Sequence, residues 1–335
     1  MSTISGTGTT YNLPNYHGEL FTVAITETPF LSAIGGINGS KTVHSKTFEW
    51  ETIGRRTSSA NNSALEGQNA PTATGQARSN VVNVTEIHHS QISVSYSHLA
   101  TQNGQFSGAN IAPEFDDALI DEIQLQTMAE LNSMAIDINQ SFLSGTMVIP
   151  SDNTTARATQ GILGAIQSNV SSNGSNRALT PAILNELLKE MRLNGAPLPV
   201  AALGQDGTPQ ARTVIMCGSD QLLNITNAYA AQSTLSAPVR NQFVAGMAIQ
   251  TITTPFGTFG VLEDPWMPAR EIAVVDLSVC WPVFTEIPAK GVLFVEPLAR
   301  TGAFENFQLY GEVGLEYGPE KYHGLITNLL NSDGS

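Results

Sequence analysis

Charge is scarce in this chain, and positive charge is scarcest. Only 13% of the 335 residues are Asp, Glu, Lys or Arg, with 15 Lys and Arg set against 29 Asp and Glu. The formal charge of −14 argues against nucleic acid as a direct ligand, because phosphate binding rests on clustered Lys and Arg, and the only adjacent basic pair is Arg55-Arg56. Few charges among many Gly, Ser, Thr, Asn and Gln suit extended neutral contacts between copies better than a freely soluble monomer. Cysteine is nearly absent. Cys217 and Cys280 each lie in an apolar run without metal-ligand spacing, so both are expected as buried thiols in a reducing cytoplasm. No run of eighteen apolar residues occurs, and the first sixteen residues have neither a basic start nor an apolar stretch, which argues against a membrane span and a signal peptide. Sequons such as Asn83-Val84-Thr85 are therefore expected to go unmodified.

Recognisable catalytic patterns are missing too. The chain has no Gly-x-Ser-x-Gly elbow, no phosphate-cradling Gly-x-x-x-x-Gly-Lys loop and no His-Glu-x-x-His pair. His88 and His89 are neighbours, but adjacent residues of a strand point to opposite faces and share a metal ion poorly. Glu263-Asp264 faces the same objection as an acid/base pair and reads as a strand end and turn before Pro265-Trp266-Met267-Pro268. Trp50 and Trp266 read as packing anchors. Neither a catalytic group nor a cofactor or metal site is expected.

What the chain does have is pattern. With 41% apolar residues it can bury a sizeable core, in two domains or one elaborate one. From Pro113 to Gly145 it writes a helix free of internal Gly and Pro, long enough to act as a structural axis of roughly 45 Å. Phe115, Leu119, Ile123, Met128, Leu131, Met134, Ile138 and Phe142 recur at helical spacing, and Gly145 is expected to supply a left-handed stop. The helix carries Glu114, Asp116, Asp117, Asp121, Glu122, Glu130 and Asp137 and no Lys or Arg. The first three suit the positive end of the helix dipole; Asp121, Glu122, Glu130 and Asp137 lie mostly off the apolar stripe and answer to something outside it.

Before the helix, a Gly/Thr/Ser-rich start becomes amphipathic at Glu19-Leu20-Phe21 and ends at Thr28-Pro29-Phe30-Leu31, as an arm with hydrophobic anchors does. Alternation at Phe48-Glu49-Trp50 returns in Val82-Asn83-Val84 and at Ile92–Tyr96 across a polar stretch, 57–80, which draws a long two-stranded arm with a loose tip. A disordered active-site lid is the rival reading of that stretch. After the helix the expected elements are a helix from Thr180-Pro181 to Asn194-Gly195 and a buried strand at Thr213–Cys217. A helix capped by Ser219 or Asp220 follows, then strands at Met247–Thr253, Thr258–Leu262, Ile272–Asp276 and Val292–Glu296, and a long alternating strand at Phe307–Tyr317.

This order of elements resembles the major capsid protein of tailed bacteriophages, the Hong Kong 97 fold shared with encapsulins. The motifs that carry the resemblance are Gly18-Glu19-Leu20-Phe21, Thr28-Pro29-Phe30-Leu31, Phe48-Glu49-Trp50, Gly161-Ile162-Leu163, Trp266-Met267-Pro268, and the tail Gly311-Glu312-Val313-Gly314-Leu315-Glu316 with His323-Gly324. The resemblance implies an α+β chain with an N-terminal arm (1–40), an extended β-hairpin loop (41–112), a peripheral domain with a spine helix (113–177 and 298–335) and an α/β axial domain (178–297). It also implies a structural protein that assembles with itself through pentamers and hexamers into a DNA-containing head, built in the host cytoplasm and forming part of the virion. Scaffolding, portal and decoration proteins would be its other partners, with no sequence-specific nucleic-acid binding and no membrane. Met1 leads directly into the short arm, which suggests a separate scaffold or none. Arg55, Arg56, Trp50, Glu19 and Phe21 are the expected intersubunit contacts, and Asp121, Glu122, Glu130 and Asp137 the expected genome-facing acids. Two other classes stay open: an encapsulin-like compartment, and an enzyme with a dispersed site.

Overall fold

The computed structural model of the chain describes residues 25–37, 41–54, 63–70, 72, 75–97, 122–152, 154–198, 213–232, 241–244, 247–299, 302–332 and 334. Its helices are α1 (Pro29–Ala33), α2 (Glu122–Ser144), α3 (Ile162–Ala165), α4 (Pro181–Leu193) and α5 (Ser219–Gln232). The strands before the long helix are β1 (Lys41–Val43), β2 (Thr47–Ile53), β3 (Arg78–Val84) and β4 (Glu86–Ser95). Those after it are β5 (Val170–Ser171), β6 (Thr213–Cys217), β7 (Asn241–Val244), β8 (Met247–Thr254), β9 (Gly257–Glu263), β10 (Ile272–Asp276), β11 (Trp281–Thr285), β12 (Leu293–Pro297), β13 (Phe304–Glu316) and β14 (Gly324–Ile326).

These strands form a seven-stranded sheet, a five-stranded sheet and a separate two-stranded ribbon. In the seven-stranded sheet the order is β5-β14-β10-β6-β9-β8-β7. Its middle strands β6 and β10 are buried at every position, which the alternation of side chains explains. Val214, Met216, Ala273 and Val275 belong to one hydrophobic core with α1, α2 and α3, while Ile215, Cys217, Ile272 and Val274 belong to a second with α4 and α5. A sheet covered on both faces needs apolar residues at consecutive positions, as Thr213–Cys217 has.

The five-stranded sheet has the order β1-β11-β13-β12, with β4 also paired to β13. At 13 residues β13 is its axis: β4 runs along Phe304–Val313 on one side, while β12 and β11 share the other in succession. The sheets therefore divide the chain differently from the expected ranges. β11 and β12, inside 178–297, pair in the five-stranded sheet, and β14, inside 298–335, pairs in the seven-stranded one.

The long helix is present, and its described part, 23 residues, spans about 35 Å. Met134, Ile138 and Phe142 are buried as their spacing requires, whereas Met128 is 66% exposed, and Phe115 and Leu119 lie outside the described residues. Burial thus concentrates in the second half of α2, where α1, α3 and β13 pack against it.

Gly145 does not end the helix in the left-handed conformation. Its requirement is space: a Cβ there would lie 2.4 Å from the Ser141 carbonyl oxygen and 2.6 Å from that of Thr159. Gly161 approaches from the other side, donating to the Gly145 carbonyl at 2.9 Å, and its own Cβ would meet Gly145 N at 2.6 Å. Two glycines in contact let the returning loop close against the helix end. At α4 the expected ends hold, with Pro181 in the first turn and Gly195 at φ +99°, although Thr180 makes no side-chain capping bond. Ser219 gives its hydroxyl to Glu263 at 2.7 Å.

Candidate assembly interface

The ribbon of β2 and β3 pairs Thr47 with Val84 through to Ile53 with Arg78 and belongs to neither larger sheet. Seven residues per strand make it about 24 Å long. Only its root is buried: Phe48, Asn83 and Val84 sit against β13, where Gly314 leaves the room, since a Cβ there would lie 2.7 Å from the Val84 carbonyl oxygen and 2.8 Å from Phe48 Cε1. Towards the tip the cross-strand bonds Arg78–Glu51 and Asn80–Glu49, both 3.1 Å, are exposed, as is Ile53. An isolated two-stranded ribbon is marginal in water, so this one stands out as a surface in need of a partner.

Of the expected intersubunit residues, Arg55, Arg56, Glu19 and Phe21 lie outside the described residues. Trp50 is half-buried at the ribbon root. Its ring packs edge-on to Tyr317 at 4.9 Å and stacks on Phe48 at 5.9 Å, and its Nε1–H donates to the Gly318 carbonyl at 2.9 Å. These contacts fasten the ribbon root to the end of β13. Trp266 plays the same part elsewhere, its Nε1–H donating to the Glu27 carbonyl at 2.9 Å.

The acids of α2 divide. Asp121 and the Glu122 side chain are outside the description, while Glu130 and Asp137 line a cavity of about 250 Å³ between α2 and β4 with Ile87, His88, His89, Ser90, Ser133 and Met134. The two histidines occupy opposite faces of β4, His88 buried and His89 exposed. Burial pulls His88 below the usual imidazole range, against the pull of Glu86 and Asp137. His323 in the tail motif is fully buried and likewise lowered by burial; its Nδ1 accepts from Asp276 N at 3.3 Å and its Nε2 lies 2.7 Å from the Tyr317 carbonyl, so the neutral Nε2–H tautomer satisfies both.

Two structural nodes were hidden from sequence reasoning. Asp264, read as a turn residue, is fully buried and accepts from Phe30 N at 3.2 Å, Asn139 Nδ2 at 3.1 Å and Trp266 N at 3.0 Å. It joins α1, α2 and the Trp266 turn; burial raises its carboxyl despite these bonds. Asn83 sits fully buried where the ribbon root meets the β13 backbone, its Nδ2 donating to the Leu315 carbonyl at 2.6 Å. A third feature is the ion pair of Arg157 and Glu312, 2.5 Å apart and largely buried, with Tyr310 donating to Glu312 at 2.7 Å. Among the described residues no group of three or more His, Cys, Asp or Glu is placed to hold a metal ion, and no helix is long and apolar enough to cross a membrane.

The profile of the SU10 major capsid protein family matches residues 3–330. The chain belongs to that family. It is a major capsid protein of the tailed-phage type, with the Hong Kong 97 fold. Among solved structures it is similar to a chain of the capsid of a native GTA particle, with 14% identity over 98% of this chain and 99% of that one and a TM-score of 0.60. It is also similar to a chain of the cyanophage A-1(L) capsid asymmetric unit, with 15% identity, coverage of 95% and 97%, and a TM-score of 0.59. A chain of an encapsulin complex from Synechococcus elongatus shares the fold at 11% identity, coverage of 86% and 84%, and a TM-score of 0.55. No curated protein matches. The family is a structural one, its capsids imply that the capsid protein associates with itself, and its place is the virion.

Proposed function

We propose that the chain assembles through pentamers and hexamers into a closed head that encloses double-stranded DNA, and that it catalyses no reaction. The observation that carries this is the β2–β3 ribbon, rooted on β13 and the first core by Phe48, Trp50, Val81 and Val84 and exposed towards its tip. Arg55 and Arg56 follow directly on its first strand, and we assign them to carboxylates of a neighbouring copy; Glu19 and Phe21 of the arm dock on a neighbour as well. The five-stranded sheet with α2 corresponds to the peripheral domain, and the seven-stranded sheet with α4 and α5 to the axial domain. Assembly takes place in the host cytoplasm, with scaffolding, portal and decoration proteins as further partners. The acidic helix, through Asp121, Glu122, Glu130 and Asp137, gives the inner surface a negative field that keeps packaged DNA from sticking.

The test is electron microscopy of the expressed protein beside a variant in which 57–76 is replaced by a tight turn. The parent should form pentamers, hexamers or shells, and the variant should fold without closing shells. Normal shells from the variant would remove the ribbon from the interface, and a monomeric parent at high concentration would end the reading. Replacing the four acids by Lys should leave shells that retain DNA, and unchanged packaging and release would reject the lining.

A further inference from the structure

The cavity between α2 and β4 has a composition that a helix–sheet interface does not need for stability. His88 is only 9% exposed, yet its Nε2 is sealed from solvent without a hydrogen-bond partner, and the Ser90 Oγ beside it is in the same state. Unmet polar groups in a buried place cost free energy, so their retention calls for an explanation. Across from them α2 presents Glu130 and Asp137, neither of which is in an ion pair among the described residues. The third carboxylate of the region, Glu86, is already engaged by Thr159 N at 3.3 Å and Ser141 Oγ at 3.5 Å.

The cavity therefore offers two carboxylates, a hydroxyl and an imidazole whose Nε2 has no partner. Among the described residues that line the cavity none is a Lys or Arg. Residues 98–121, which lead from β4 into α2, contain no Lys or Arg, and neither do residues 1–24. A divalent metal is poorly served, since no three ligating groups come together there. A donor-rich cation of about 250 Å³ or less fits the volume and chemistry.

We propose that this cavity binds a guanidinium or alkylammonium group, presented either by an Arg or Lys of a neighbouring copy or by a free amine. Bound there, the cation bridges Glu130 and Asp137 of α2 to His88 and Ser90 of β4 and locks the helix edge to the sheet. Two of the four acids are then neutralised locally, and the negative lining falls to Asp121 and Glu122.

The experiment is cryo-electron microscopy of parent shells prepared in amine-free buffer and in buffer with spermidine. Density in the cavity continuous with a neighbour's Arg or Lys in both buffers supports the first source. Density that appears only with spermidine supports the second. A cavity holding water alone in both overturns the proposal. Glu130→Gln/Asp137→Asn, which keeps shape and removes charge, should empty the site. If a neighbour is the source it should raise the protein concentration for half-assembly by roughly tenfold, the scale of one charge-assisted contact. The neighbour as source rests on the shell reading. Should no shells form, spermidine titrated into the soluble chain while the His88 imidazole is followed by NMR decides the site alone, and a His88 resonance that never moves rejects it.

Discussion

Replacing Asn83 by Ala should be among the most damaging single changes in the chain, although the side chain is small and belongs to an otherwise exposed ribbon. Its Nδ2 donates to the Leu315 carbonyl at 2.6 Å and to that of Gln160 at 3.2 Å, while its Oδ1 accepts from Gln160 N and Val84 N, both at 2.8 Å. The side chain is 0% exposed, so no water replaces these partners. Four bonds at a net of about 1 kcal/mol each, more where a backbone group is left unmet, give about 3–5 kcal/mol. With a urea dependence of about 3 kcal/mol/M the midpoint should fall by about 1–1.7 M. The assay is urea unfolding of the unassembled chain followed by circular dichroism. Asn80→Ala is the control: this residue lies on the exposed part of β3 and bonds only Glu49, so its loss should cost under about 0.5 kcal/mol. Asn83→Asp should be no better than Ala, because it turns a carboxylate oxygen on two carbonyls. A midpoint for Asn83→Ala within about 0.3 M of the parent, at unchanged slope, would refute the claim that this amide holds the ribbon to β13.

Gly145→Ala should lower stability by about 2–4 kcal/mol in the same assay, because its Cβ would meet two backbone oxygens at 2.4 and 2.6 Å and neither can rotate away; a change below about 1 kcal/mol would mean that the loop has slack. Cys217, whose thiol burial pushes up to about 12, and Cys280, raised further by burial, should both resist a thiol reagent at pH 8 and both react in denaturant; rapid labelling of the folded chain would contradict their burial. The raised carboxyl of Asp264 sets a sign for pH dependence: its titration favours the fold below the ordinary carboxylate pKa, and that contribution is lost as pH rises through the raised value. The stability of the parent relative to Asp264→Asn should accordingly decline upwards from about pH 4 and then level off, and a relative gain over that window would reverse the assignment.

Much of the local structure was legible in the residues themselves. Period-two alternation marked β2, β4 and β13, and unbroken apolar runs marked β6 and β10. Pro181 and Gly195 bracketed α4, and helical spacing marked the buried stripe of Met134, Ile138 and Phe142. These follow from side-chain direction along one element, which repeats every 2 or 3.6 residues and needs no knowledge of the rest of the chain. Element order was equally legible, and with it the family.

Only the tertiary structure decided what each residue faces. Asp264 and Asn83 look like turn and strand polars in sequence, and became nodes because residues more than a hundred positions away bring backbone N–H and C=O groups to them. Gly145 looked like a helix stop, and is instead a place where two backbones touch. Trp50 meets Tyr317, a ring far along the same chain. Met128 kept the helical period but is exposed. Periodicity fixes which side chains share a face, while hydrogen-bond partners and free space depend on chain closure over long separations, which no local pattern encodes.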